Sequence, residues 1–457
     1  MIARMIAFAI AAGAVVGAVV FAGIVGPVQA PAVAVHEVSI MPMERPIACP
    51  GPLTVPVGDV DAGDPDLDST PTERERRIWP DGATTPADGG DGVIIDAPVA
   101  TSVERVEDGD IAGLAALTCQ RAMSDQWLVG GSTALSSSAR LVLINPSLSS
   151  IEVTVTLFGA AGQVEQRPVV ILAPMSQREV LLEGIEAEIS SLVVRVESSG
   201  AGVVAALQDS RLDGFQPAGS EWVMPVATPA ESLVVPGVGV AAGEVEADTE
   251  ADAGTQTPSV SVLRLLSPEG ATVSLTLVTA EGIVPWGGTT GLELAPGVVT
   301  DIEVPSGVFG AVEVSADGGV LAAAMSRIER DAEGGTRGSL AYDFSWVGGQ
   351  DHRDGVARST VAPGGSVEFA VYSPTTATFV LTDAAGTVVV EREVAARTIE
   401  VIEVDVPAGT VVSAQGRFAW SMRIAREPGF VTSLSPVLTG VSELTVSVGL
   451  APYAPVP

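Results

Sequence analysis

"INPSLSSIEVTVTLFGAAG", residues 144–162, decides the fold class. Within it Ile151, Val153, Val155 and Leu157 alternate with Glu152, Thr154 and Thr156. A period of two over this length specifies a strand with one buried and one wet face, whereas a helix would repeat its apolar residues every three to four positions. The run closes on a glycine turn at Gly162, as a hairpin does. The chain then says the same thing twice more. "LSPEGATVSLTLVTAEG", from Leu266, alternates Val273, Leu275 and Leu277 with Thr272, Ser274 and Thr276 and closes at Gly282. "YSPTTATFVLTDAAG", from Tyr372, closes at Gly386.

The echo extends beyond the hairpins. "ILAPMSQREVLL" (171–182) is answered by "ELAPGVVTDIEV" (293–304) and by "EVAARTIEVIEV" (393–404). Pro146 and Pro268 lie 122 residues apart, as do Pro174 and Pro296. A period of that size describes whole domains rather than solenoid coils. Short strands with frequent turns, in units of about 100 residues, predict antiparallel β-sandwiches. The expected fold is therefore all-β: an N-terminal membrane helix, then three tandem immunoglobulin-like sandwiches, with Pro146, Pro268 and Pro374 before corresponding strands. The expected boundaries are 1–27 for the membrane segment, 28–57 with 93–226 for the first sandwich, 227–332 for the second and 333–457 for the third. Residues 58–92, rich in Asp, Pro and Gly, read as a mobile acidic insert that cannot bury enough surface to offset its chain entropy. Residues 241–259 read as a flexible acidic loop for the same reason. Trp127, Trp222 and Trp346 fall near the front of each unit and read as core or inter-domain anchors rather than a ligand platform.

The net charge is −33 and the chain contains no lysine. A field of that sign repels phosphate backbones, so nucleic acid is not an expected partner. At the amino terminus Arg4 precedes an uncharged apolar run, Met5–Val25. As a helix this run spans roughly 31 Å, about the hydrocarbon thickness of a bilayer. It is longer than a cleavable signal core, which favours a retained anchor; small residues at Val28–Ala30 and Ala32–Ala34 leave peptidase cleavage and secretion as the alternative. No basic residue intervenes between Arg4 and Arg45, so the positive-inside rule leaves the amino terminus in the cytoplasm and the bulk of the chain outside.

A search for chemistry returns little. The two histidines, His36 and His352, occupy polar or membrane-adjacent sequence, and neither HExxH nor CxxC occurs. "GGSTA" (130–134) is not a G-x-S-x-G elbow, and Pro236 spoils "PGVGVAAGE" as a phosphate loop. "DVDAGDPDLD" (59–68) departs from EF-hand spacing at Gly63. Asn145 precedes Pro146 and is no glycosylation acceptor. No catalytic, cofactor-binding or metal-ligating residue is expected. A pair of carboxylates acting on a glycan stays open, because sequence does not show which of 56 acidic residues converge.

Cys49 and Cys119 are the only cysteines. In an exported chain two thiols permit one intramolecular pairing, and a disulfide is expected, with two reduced thiols as the alternative. The bond is expected to staple the segment after the leader to the first sandwich, leaving the acidic insert free between them.

The combination of an N-terminal apolar run with "ERPIACPGPL", "LVLINPS", "GSEWVMPVATPA" and "LVVPGVG" resembles an actinobacterial family of uncharacterised exported, membrane-anchored proteins, domain of unknown function 5719. The resemblance implies an envelope-facing location, supplies no catalytic residue, and associates the chain with gene neighbourhoods containing a glycosyltransferase. The expected function is a membrane-tethered, non-enzymatic envelope scaffold or binding protein with an envelope protein or glycan as partner. The alternative is an accessory or catalytic protein of envelope polysaccharide assembly or turnover.

Overall fold

A computed structural model describes residues 35–40, 46–55, 71, 73–213, 216–240, 261–331, 340–351, 355–361, 366–427, 429–438 and 444–449. The leader, His352, the 59–68 stretch and the 241–259 loop lie outside them. Among the described residues no helix is long and apolar enough to cross a membrane. The chain divides into two compact units, residues 44–440 and the two chain ends, 1–43 with 441–457. Strand β1 (Val35–Ile40) belongs to the unit of the chain ends.

Residues 44–440 begin with a small β-unit that the sequence reading had merged with the first sandwich. Its strands are β2 (Ile47–Cys49), β3 (Arg74–Trp79), β4 (Thr84–Pro86) and β5 (Val93–Ile95), then β6 (Thr101–Val106), β7 (Gly113–Thr118) and β8 (Gln120–Arg121). They form two sheets, β4-β5-β2-β8 and β3-β6-β7. The expectation of a mobile insert over 58–92 is thereby corrected for its second half. Strand β3 is charged, yet Arg74 and Arg76 reach the buried carboxylate of Glu104 and the carbonyls of Leu53 and Pro50, so two of its arginines are paired. Burial pushes the Glu104 carboxyl up, against the amide of Leu53 and the guanidinium of Arg74, which lower it.

The first sandwich comprises β9 (Asp125–Val129), β10 (Ser137–Asn145), β11 (Ile151–Gly159), β12 (Gly162–Gln163) and β13 (Val169–Leu172). It continues with β14 (Ser176–Leu181), β15 (Val193–Ser198), β16 (Val204–Asp213) and β17 (Gln216–Val223). The second holds β18 (Ala230–Gly239), β19 (Val262–Leu266), β20 (Ala271–Thr279), β21 (Gly282–Val284) and β22 (Leu292–Leu294). It ends with β23 (Val299–Glu303), the long β24 (Phe309–Asp331) and β25 (Leu340–Gly348). The third holds β26 (Gly355–Thr360), β27 (Ser366–Ser373), β28 (Ala377–Asp383), β29 (Val388–Val394) and β30 (Thr398–Glu403). It closes with β31 (Val411–Gly416), β32 (Ala419–Arg426), β33 (Phe430–Leu434) and β34 (Val437–Leu438).

The three repeats share one topology. One sheet runs β13-β11-β15-β9, β22-β20-β24-β18 and β29-β28-β31-β26 in turn. The facing sheet runs β14-β10-β16-β17, β23-β19-β24-β25 and β30-β27-β32-β33. In the second sandwich β24 passes through both sheets, its first half between β20 and β18, its second between β19 and β25. Pro146, Pro268 and Pro374 each lie in the same connection, between β10 and β11, β19 and β20, and β27 and β28. Alternation in β11 is realised as Ile151, Val153, Val155 and Leu157 inside, with Glu152 in solvent. The turns close at Gly162 and Gly282, whose φ of 106° and 115° suit glycine.

Two boundaries move. Residues 340–348 are the last strand of the second sandwich rather than the start of the third. Residues 444–449 form β35 (Leu444–Gly449), which pairs antiparallel with β1 in the separate unit of the chain ends.

Within residues 44–440 the units are docked in a closed circuit. The small unit's core includes Val142, Ile144, Val204, Ala206 and Trp222 of the first sandwich. The first sandwich's core takes in Leu266, Leu321, Phe344 and Trp346 of the second. Val234, Val278 and Ala311 of the second pack on Ala370, Tyr372 and Ala419 of the third. The third's core closes the circuit on Trp79, Val103, Leu114 and Ala116 of the small unit.

Candidate functional site

At the centre of this circuit four strands meet: β7, β17, β25 and β33. Each is at the edge of its own sheet. An edge strand exposes backbone N–H groups that must find partners when buried. Here two carboxylates supply them. Glu221 on β17 accepts from the amides of Ala116 (3.0 Å) and Trp222 (2.8 Å) and from the Thr432 hydroxyl (2.5 Å). Asp343 on β25 accepts from the amides of Leu114 (3.1 Å) and Val431 (2.9 Å). Each acid thus ties β7 and β33 to its own strand. Both are 0% exposed. Ser433 and Ser345 join β33 to β25 through their hydroxyls, 3.2 Å apart. The approach is close enough to require glycine. A Cβ on Gly113 would lie 2.6 Å from the Ser220 nitrogen, and one on Gly219, at φ +97°, 2.7 Å from Asp343 Oδ1.

Burial pushes the Glu221 carboxyl well above the ordinary range; its three hydrogen bonds oppose this, and the neighbouring Asp343 adds to it. A neutral Glu221 fits the geometry. Oε1 still accepts both amides, while a protonated Oε2 donates to the Thr432 oxygen.

Flanking clamps hold the sandwiches around this centre. The Arg264 guanidinium is bidentate on Asp301 (2.8 and 2.9 Å) and donates to the carbonyls of Gly131 (2.7 Å) and Leu192 (3.1 Å) across the interface of the first two sandwiches. Burial works to raise the Asp301 carboxyl, but Arg264 outweighs it and holds it below the usual range. Between the second and third sandwiches Tyr372 donates to Glu313 (2.6 Å), which Arg397 also grips.

Beside the carboxylates lies a cavity of about 270 Å³, lined by Trp222, Met224, Val226, Trp346, Phe418 and Leu434 among others. The three tryptophans therefore do not occupy equivalent places. Trp127 is on the first strand of its sandwich and packs on Phe158 in the core, at 5.5 Å between ring centroids. Trp222 and Trp346 end the first and second sandwiches, where the sequence reading had placed them at the fronts of the second and third. The indole N–H of Trp346 donates to Asp209 (2.9 Å).

Cys49 and Cys119 are joined, their Cα atoms 4.7 Å apart. Both sulfurs belong to the small unit, Cys49 in β2 and Cys119 between β7 and β8, so the bond staples that unit internally instead of binding it to the first sandwich. In "GGSTA" the Ser132 and Thr133 hydroxyls donate to the carbonyls of Ile189 and Glu186, a structural use. Among the described residues no group of three or more His, Cys, Asp or Glu is placed to hold a metal ion.

The two acids stand beside the tryptophans of "GSEWVMPVATPA" and "FSWVGGQ", and no motif marks them. The available signal was an acid inside an apolar strand next to an aromatic, Glu221 in "SEWV" and Asp343 in "YDFSW".

A family described as Family of unknown function (DUF5719) matches residues 87–413. The chain belongs to that family. No curated protein matches it, and no solved structure does. The DUF5719 region takes in the first two sandwiches entire and three of the four junction strands, β7, β17 and β25. It stops before β33, which carries Thr432.

Proposed function

We propose that this DUF5719 protein is an exported, membrane-tethered, non-enzymatic scaffold or binding protein of the cell envelope, built from immunoglobulin-like modules. The observation that carries the non-enzymatic reading is the use made of the buried acids. Glu221 and Asp343 are a neighbouring pair of buried carboxylates, as a glycan-cleaving enzyme would need, yet Glu221 Oε1 and Asp343 Oδ2 accept from backbone amides of neighbouring modules and Glu221 Oε2 accepts from the Thr432 hydroxyl. Glycoside hydrolysis requires two acids flanking a bond in an open cleft. A pair enclosed by amide donors serves docking. The charge of −33 supports the absence of a nucleic-acid partner. The apolar run Met5–Val25 supports a tether with the amino terminus in the cytoplasm. In the first and third sandwiches the first strand pairs with the strand before the closing pair (β9 with β15, β26 with β31), and the second strand pairs with that closing pair in turn (β10-β16-β17, β27-β32-β33). This pattern supports the immunoglobulin-like reading, because immunoglobulin sheets pair B with E and C through F to G.

The reading is tested in the intact cell. The full chain should sediment with the envelope, be shaved by protease added outside, and retain envelope glycan without changing its mass spectrum. Release of glycan fragments, abolished by replacing a pair of exposed acids, would replace this reading with a catalytic one in polysaccharide turnover.

A further inference from the structure

We propose that the junction cavity binds one hydrocarbon chain of about ten carbons, carried by an amphiphile with a neutral or cationic head. This takes up the binding half of the reading above and names its ligand class. Several of the lining's polar groups are already paired. The Gln350 side chain is paired both ways with the backbone of Trp420, donating at 2.7 Å and accepting at 3.0 Å. Gln120 donates to the Thr118 carbonyl, the Thr118 hydroxyl to the Ser435 carbonyl, and Ser433 is paired with Ser345. Apart from the Asp351 and Ser435 side chains, what the lining offers a guest is the apolar surface of Trp222, Met224, Trp346, Phe418 and Leu434. Recognition there proceeds by burial and not by hydrogen bonding.

Size sets the length. A cavity of about 150 Å³ accepts a six-carbon ring, so the 270 Å³ found here corresponds to about ten carbons at the same packing. Charge selects the head group. Among the described residues of the lining none is cationic, and the chain carries −33 overall. A field of that sign disfavours an anionic head. The rim is apolar and open: Met123 and Leu438, both of the lining, are 37% and 56% exposed. A chain entering past them leaves its head in water.

The test uses the purified full chain and a series of linear alcohols from hexanol to tetradecanol, read by calorimetry and by quenching of tryptophan fluorescence with bromodecanol. Each methylene buried should strengthen binding about fourfold, until the series breaks near ten carbons. Val226→Trp, filling the cavity from a half-buried position, should shift the break to shorter chains. Leu438→Glu, at the exposed rim, should weaken decanol binding at least tenfold while leaving the unfolding temperature near that of wild type. Decyltrimethylammonium should bind and decanoate should not. Geraniol against decanol tells an isoprenoid source from a fatty one, either being the chain proposed. The proposal is overturned if no alcohol binds, if affinity rises through tetradecanol with no break, if both variants bind decanol as wild type does, or if decanoate matches the cation. None of these results bears on where the chain resides, so failure here is separable from failure of the envelope reading.

Discussion

Replacing Glu221 separates its role as a hydrogen-bond acceptor from its role as a charge. In Glu221→Ala the amides of Ala116 and Trp222 lose their acceptor inside the junction. Each orphaned buried amide costs about 1–3 kcal/mol, giving a loss of about 2–6 kcal/mol. Glu221→Gln keeps Oε1 for both amides and turns its NH2 on the Thr432 hydroxyl, so its cost at acid pH is expected to stay below about 1 kcal/mol. The two differ in how pH acts. Because the folded Glu221 carboxyl lies well above its unfolded value, the stability linked to its proton is fully present below the unfolded pKa. It is lost as pH rises toward the folded pKa, at up to about 1.4 kcal/mol per pH unit. The glutamine variant lacks that loss, so it should gain on wild type steadily as pH rises above the unfolded value. Calorimetric unfolding of wild type, Glu221→Gln and Glu221→Ala across pH 5 to pH 8 measures this. A glutamine variant as unstable as alanine, or one with the wild-type pH profile, would refute the reasoning.

Three further outcomes are expected. Cys49→Ser with Cys119→Ser removes a link across 70 residues, worth about 4 kcal/mol by loop entropy, and should open the small β-unit to protease before the sandwiches. Arg264→Lys should fail to rescue what Arg264→Ala loses, about 2–4 kcal/mol in thermal unfolding, because an ammonium cannot reproduce the fork on Asp301; in the alanine variant the Asp301 carboxyl should titrate higher by NMR. Tyr372→Phe removes one hydrogen bond to Glu313 and should cost about 1.5–3 kcal/mol, measured the same way, with Arg397 still paired.

What the sequence made legible was local. Alternation along β11 and β20, the turns at Gly162, Gly282 and Gly386, and the repeated proline all follow from period-two burial and turn chemistry within about twenty residues. The disulfide followed from having two cysteines in a chain whose leader reads as an export signal. The small unit was hidden because its strands are two to six residues long and β3 is mostly charge, read as solvated until Glu104 is seen beneath it. The junction was hidden for a different reason. Glu221 bonds partners 105 and 211 positions away, and no local pattern encodes which amides an acid will meet once four sheets close on one another. The cavity shares that origin, being shaped by residues of all four units.

The central claim is that the four β-units form one docked body, held where the edge strands β7, β17, β25 and β33 meet on two buried acids. Hydrogen exchange at the amides of Leu114, Ala116, Trp222 and Val431 tests it most directly, since three of the four bond a carboxylate of another strand and all four bond a side chain. The account predicts that they exchange as slowly as the interior amides of β16, and that Ala116 speeds up in Glu221→Ala. Exchange at the rate of the surface turns, unaltered by that substitution, would contradict it and leave the units as separate modules on a string.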